Sequence, residues 1–178
     1  MHSFFDYPEA QETDMAGASH LAIAMLLNKQ GARLELQGNF SAALALYDRS
    51  LALRRRVLGD NHPLVAQSLN NIGCMLLQLG DLTRALALIE DALEIWLQTL
   101  GPWHFEIAKG LCNLGTLYGE LRDYRKAAAL YQEAINMSRD TLGDNHSFVV
   151  NLESALNEVL LASDVAPEPL PAADDCGP

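Results

Sequence analysis

The chain is short of nearly everything that marks a chemical site. Its three cysteines, Cys74, Cys112 and Cys176, are odd in number and show no C-x-x-C spacing. They indicate neither a disulfide framework nor a zinc site, and they read as reduced thiols. No Gly-rich phosphate loop, H-x-x-x-H pair or Ser/His/Asp order is present, so nothing supports an enzyme and no cofactor is implied. No apolar run approaches the roughly 18–20 residues of a membrane span. Met1–Ala10 lacks the basic start and apolar stretch of a secretory signal, which makes a cytoplasmic address the expectation. Aromatics are only 7% of residues and charged residues 20%.

What the chain does have is apolar content of 49% within 178 residues, enough for one domain with a real core. Leu and Ala dominate, a composition that leans helical. The net charge of −11 is concentrated at the ends. Asp6, Glu9, Glu12 and Asp14 fall in residues 1–19, and Asp164, Glu168, Asp174 and Asp175 in 164–178, with no base in either stretch. The body between them is nearly balanced, which points away from nucleic acid and from a charge-coded partner.

One phrase recurs. LGDNHP starts at Leu58, LGPWHF at Leu100 and LGDNHS at Leu142, each 42 residues after the last. In the same frame stand His62, His104 and His146, preceded by His20, and the columns Leu27/Leu69/Leu111, Gly31/Gly73/Gly115 and Ala43/Ala85/Ala127. Within a unit the apolar spacing is 3–4, as in Val65, Leu69, Ile72, Leu76 and Leu79, the stripe of an amphipathic helix. The stripe breaks near Gly80–Asp81, resumes with Ala85, Leu88, Ile89 and Ala92, and stops at Leu100–Gly101. Each unit is therefore a helix, a tight turn and a longer helix. The Leu-Gly phrase is the corner: glycine ends one helix, and Pro63 suits the first turn of the next. The histidines belong at or beside the N-caps. Equivalent positions in stacked repeats lie a helix diameter or roughly 8–10 Å apart, too far for two ligands of one metal, so no metal site is expected.

These residues resemble the tetratricopeptide repeat. Leu111, Leu114, Gly115, Tyr118, Ala127 and Tyr131 match it best, and Leu69, Ile72, Gly73, Leu76, Ala85 and Ile89 match in kind. The 42-residue period, with the L-N-N-I-G and L-G-D-N-H-P phrases, is similar to the kinesin-light-chain type. The resemblance implies an all-α, right-handed α-solenoid of stacked helix-turn-helix repeats, about seven helices in all. The expected division is an acidic segment 1–19, a repeat domain 20–163 and a disordered, Pro-rich tail 164–178. The repeats would span about 20–61, 62–103 and 104–145, closed by a capping helix 146–163. Phe4, Phe5 and Tyr7 could cover the first repeat.

The resemblance also implies that the first helices line a concave groove. The face opposite their buried stripe carries Asn28 and Lys29 in the first unit, Gln67, Asn70, Asn71 and Gln78 in the second, and Lys109, Asn113, Thr116 and Glu120 in the third. Asn71 and Asn113 occupy the column where relatives place an asparagine that bonds a bound peptide's backbone. A carboxamide both donates and accepts, which suits that role. The competing reading is a solvated residue, or one bonded to the neighbouring repeat. Lys29 and Lys109 could meet a ligand carboxylate. Arg54–Arg56 read as cations complementing a helix end, Cys74 and Cys112 as small groove-lining residues, and Trp103 as a partly exposed corner residue. The function expected is a non-enzymatic module that binds a protein or peptide ligand, with no nucleic acid and no membrane. Weak self-association as a structural scaffold is the alternative.

Overall fold

The computed structural model describes the backbone of residues 9–163 and the side chains of residues 15–163. Seven helices run through the described residues: α1 (Glu9–Leu36), α2 (Phe40–Leu58), α3 (Pro63–Gln78), α4 (Leu82–Leu100), α5 (Phe105–Glu120), α6 (Tyr124–Leu142) and α7 (Ser147–Ser163). Helix α1 packs on α2, α3 on α4 and α5 on α6; each pair then meets the next through α2–α3, α4–α5 and α6–α7. The result is the all-α solenoid that the repeat columns imply. None of the described helices is long and apolar enough to cross a membrane.

Within a pair, the glycine column sets the separation. A Cβ on Gly31 would lie 2.7 Å from Tyr47 Cε1, and one on Gly73 would lie 2.6 Å from Ile89 Cγ1. The first helix therefore rides close enough for a large side chain of the second to lie across its backbone. At the corners, Gly59, Gly101 and Gly143 have φ of 79, 81 and 83° and ψ of 171, 165 and 159°. This region lies beyond the left-handed helical well and is open only to glycine. The histidine reading holds at three sites. The Nδ1 atoms of His62, His104 and His146 accept from the backbone N–H groups of Leu64, Glu106 and Phe148 at 3.1–3.2 Å. Among the described residues no cluster of His, Cys, Asp or Glu could hold a metal.

The start of the array differs from the sequence expectation. Helix α1 has 28 residues where α3 and α5 have 16, so the boundary at residue 19 falls inside a helix and His20 is no corner. The Ala-rich stretch before it continues the helix, and its extra turns lean on the end of α2, where a Cβ on Gly17 would touch Val57 at 3.5 Å. The aromatic cover expected from Phe4, Phe5 and Tyr7 and the disordered tail from 164 lie outside the described residues.

The turn inside the third unit carries a cost. Gly38 and Gly80 have φ of 73 and 83°, but Arg122 holds the equivalent place at φ 61°. A side chain in that conformation costs about 1–2 kcal/mol, partly offset because glycine loses more chain entropy on folding. Arg122→Gly is expected to stabilise the protein by about 0.5–1 kcal/mol. Thermal denaturation should show a Tm rise of roughly 2–4 °C.

Candidate functional site

The first helices α1, α3 and α5 lie side by side, and the groove columns meet across them. Asn71 Nδ2 on α3 donates to Asn28 Oδ1 on α1 at 3.0 Å, and Asn113 Nδ2 on α5 donates to Asn70 Oδ1 on α3 at 2.8 Å. Each rung spans 43 residues and ties one repeat to the next. A third rung would join Cys112 to Ala155, where neither side chain can make it. The asparagines are therefore inter-repeat clamps in this structure. Each is half-committed: among the described residues, the Oδ1 atoms of Asn71 and Asn113 accept no hydrogen bond.

The remaining residues divide by exposure. Asn70 is a correction to the groove face, since it is only 4% exposed and serves as the buried acceptor of its rung. Gln67 is half-buried, and its Oε1 accepts from Arg54 Nη1 at 3.1 Å. Thr116 Oγ1 donates to Cys112 O at 3.1 Å and is hydrogen-bonded to Tyr131 Oη at 2.9 Å, where either hydroxyl can donate. Lys109 is held by Glu106 at 2.9 Å, one helical turn away. Lys29, Gln78 and Glu120 are exposed, and Lys29 makes no ion pair among the described residues. A row of half-buried amides and a hydroxyl thus carries charge only at its edges.

Two phenols and two thiols back this row. Tyr47 Oη donates to Glu35 Oε2 at 2.8 Å, and burial followed by that carboxylate drives its pKa well above the usual phenol value. Burial also pushes the Cys74 thiol up to about 12, with Glu35 adding to the shift, and the Cys112 thiol up to about 11. Both stay protonated near neutral pH, so neither is a nucleophile there. A hollow of about 280 Å³, lined in part by Arg55, Asp60, Asp91, Glu94 and Gln98, involves none of the groove residues.

Sequence reasoning missed what Arg54 does. It is 3% exposed, not part of a basic surface cluster, and its Nη1 donates to Leu64 O at 2.6 Å and Ser68 Oγ at 2.9 Å on the next repeat. The signal lay in its column. Arg54, Trp96 and Ser138 are all buried; Arg54 meets Ser68 and Trp96 lies against Gly110 on the following helix, and the column of Ser68 and Gly110 continues in the buried Leu152. Large meets small twice, and then the order reverses. Trp103, by contrast, is 74% exposed at its corner.

The tetratricopeptide repeat family model matches residues 21–98 and 75–140. No match was found among curated proteins. Among solved structures, BtubC (BKLC) from P. vanneervenii superposes with a TM-score of 0.70 at 20% identity, over 79% of this chain and 56% of that one. The chain thus spans little more than half of BtubC. A putative kinesin light chain from Podosopora anserina, with nearly identical TPR-like repeats, gives a TM-score of 0.71 at 18% identity over 79% of this chain and 66% of that one. The N-terminal domain of stress-induced protein-1 from C. elegans gives 0.54 at 16% identity over 79% and 96%. The chain belongs to the tetratricopeptide repeat family, with a fold like that of the kinesin-light-chain arrays.

Proposed function

We propose that this protein is a non-enzymatic interaction module that holds an extended peptide or a helix of a partner protein along the row formed by α1, α3 and α5. One observation carries the reading: the rungs use the Nδ2 of Asn71 and Asn113 and leave each Oδ1 without a partner. Two acceptors of the same chemistry thus recur at the repeat interval, ready for backbone N–H groups whatever side chains flank them. The half-buried setting strengthens such bonds relative to bulk water. Lys29, at the edge of the row, can meet a carboxylate of the ligand, whereas Lys109 must first release Glu106. A cytoplasmic setting belongs to the same reading, because Cys74 and Cys112 serve as reduced groove-lining thiols.

The test separates the reader from the clamp. Asn71→Ala/Asn113→Ala removes both free acceptors along with both rungs, whereas Asn28→Ala breaks a rung and leaves the acceptors in place. Partners captured from the source lysate by the wild type should be retained by Asn28→Ala and lost from the double variant, with circular dichroism confirming that each variant folds. The captured partner should also slow hydrogen exchange in α3 and α5. A partner bound equally by the double variant would move the binding surface to the second helices or the termini.

A further inference from the structure

The two ends of the array are unlike. Inside it, Val65, Ile107 and Val149 are buried, as are Ser68, Gly110 and Leu152, each set at equivalent positions facing the preceding repeat. Their counterparts in α1 are Ile23 and Leu26, which are 43% and 60% exposed. Met15, 75% exposed, and the exposed Ala22 continue the same stripe. Positions 15, 19, 22, 26, 30 and 33 follow one another in steps of three or four, the spacing of a seam between two packed helices. At the other end, α7 presents Glu153 and Asn157 in the columns that hold Leu69 and Gly73 in the array, and Arg139 binds Glu153. A helix could not approach that surface as α4 approaches α3. Helix α7 also exposes Val150 and Leu161, eleven residues apart, so the longer apolar stripe at the described ends is the one on α1.

Another repeat of the same kind suits this face poorly. Gln30 and Arg33 stand in the columns where Ile72 and Met75 are buried, and such a neighbour would have to cover an amide and a guanidinium where the array elsewhere buries apolar side chains. Charge favours a different occupant. The sequence places Glu9, Glu12 and Asp14 in the first turns of α1, and Lys29 and Arg33 in its last turns. Two such helices side by side in the same direction would set like charges together. In opposite directions they set the acidic start of each against the basic end of the other.

We propose that a second copy of this chain docks on this face, α1 against α1, antiparallel across a twofold axis near Ala22 and Ile23. With the axis there, position 12 faces Arg33, Met15 faces Gln30 and Ser19 faces Leu26. The small side chains of Ser19 and Ala22 let the helices close at the centre. The contact uses the same α1 face of both copies, so it stops at two instead of propagating. The groove along α3 and α5 stays free in both.

Sedimentation velocity on the 178-residue chain tests this at low salt and rising concentration. The expected result is a shift from monomer to dimer that stops at the dimer. Leu26→Glu, at an exposed position where folding is retained, should weaken the dimer about tenfold or more, because it puts two glutamates, one from each copy, into the apolar part of the seam. Arg33→Glu should weaken it less, and the exchanged variant Glu12→Arg/Arg33→Glu should recover it. A monomer at every concentration overturns the proposal, as does a dimer indifferent to Leu26→Glu or an assembly larger than two. Dimers that form only after deletion of residues 1–8 would assign the face to that segment instead.

Discussion

Trp96→Ala is expected to lower the unfolding free energy by about 3–5 kcal/mol, the range for emptying a large buried site. Trp96 is 1% exposed at the seam between the second and third repeats. A Cβ on Gly110 would lie 2.6 Å from Leu93 Cδ2 and 3.4 Å from the Trp96 ring, so Leu93 and the indole together fill the space that glycine leaves. Its Nε1 donates to Pro63 O at 3.2 Å, which ties α4 to the first turn of α3. Truncation removes the filler of one interface and a hydrogen bond of the adjacent pair together. In a linear array, stability is close to a sum of unit and nearest-neighbour terms. Weakening this one junction should therefore let α5–α7 melt apart from α1–α4, and urea titration followed by circular dichroism should broaden or split. Trp103→Ala is the control. At 74% exposure it should change stability by no more than about 0.5 kcal/mol.

How far the sequence showed this structure depends on which spacing a feature obeys. Helix ends at Leu58, Leu100 and Leu142, the glycine corners and the histidine caps follow local rules repeated three times, and each repetition confirms the others. The all-α array was legible for the same reason. The first helix was not, because no preceding copy exists to show where α1 should begin, and Ala-rich turns propagate until something stops them. In the groove, periodicity places Asn70 and Asn71 on one side of α3 but cannot separate neighbours 100° apart. Asn70 is the acceptor covered by α5, and Asn71 is the half-exposed donor that reaches back to α1. That division is made by contacts between repeats, which a reading of single helices does not contain.

Arg54 is where junction chemistry and repeat columns meet, and it carries the second large effect. Arg54→Ala is expected to cost about 3 kcal/mol, since it strips the donor from a buried group of acceptors and opens a gap. Burial disfavours the charged guanidinium, and its pKa is lowered accordingly. Its Nε has no partner, and among the described residues no carboxylate pairs with it. Leu64 O, Gln67 Oε1 and Ser68 Oγ stabilise the cation in place of an ion pair. The second junction solves the same problem without charge, through Trp96 and Gly110. Arg54→Trp alone should therefore be destabilising, because the ring meets Ser68 where Trp96 meets glycine. Arg54→Trp/Ser68→Gly should recover more than half of that loss, a coupling of about 1–3 kcal/mol in a double-mutant cycle. Full recovery is not expected, because the double variant still leaves Leu64 O and Gln67 Oε1 without the donor that Arg54 Nη1 supplies. If the two substitutions proved additive, the facing columns would be independent, and the alternation of large and small across the junctions would have no energetic basis.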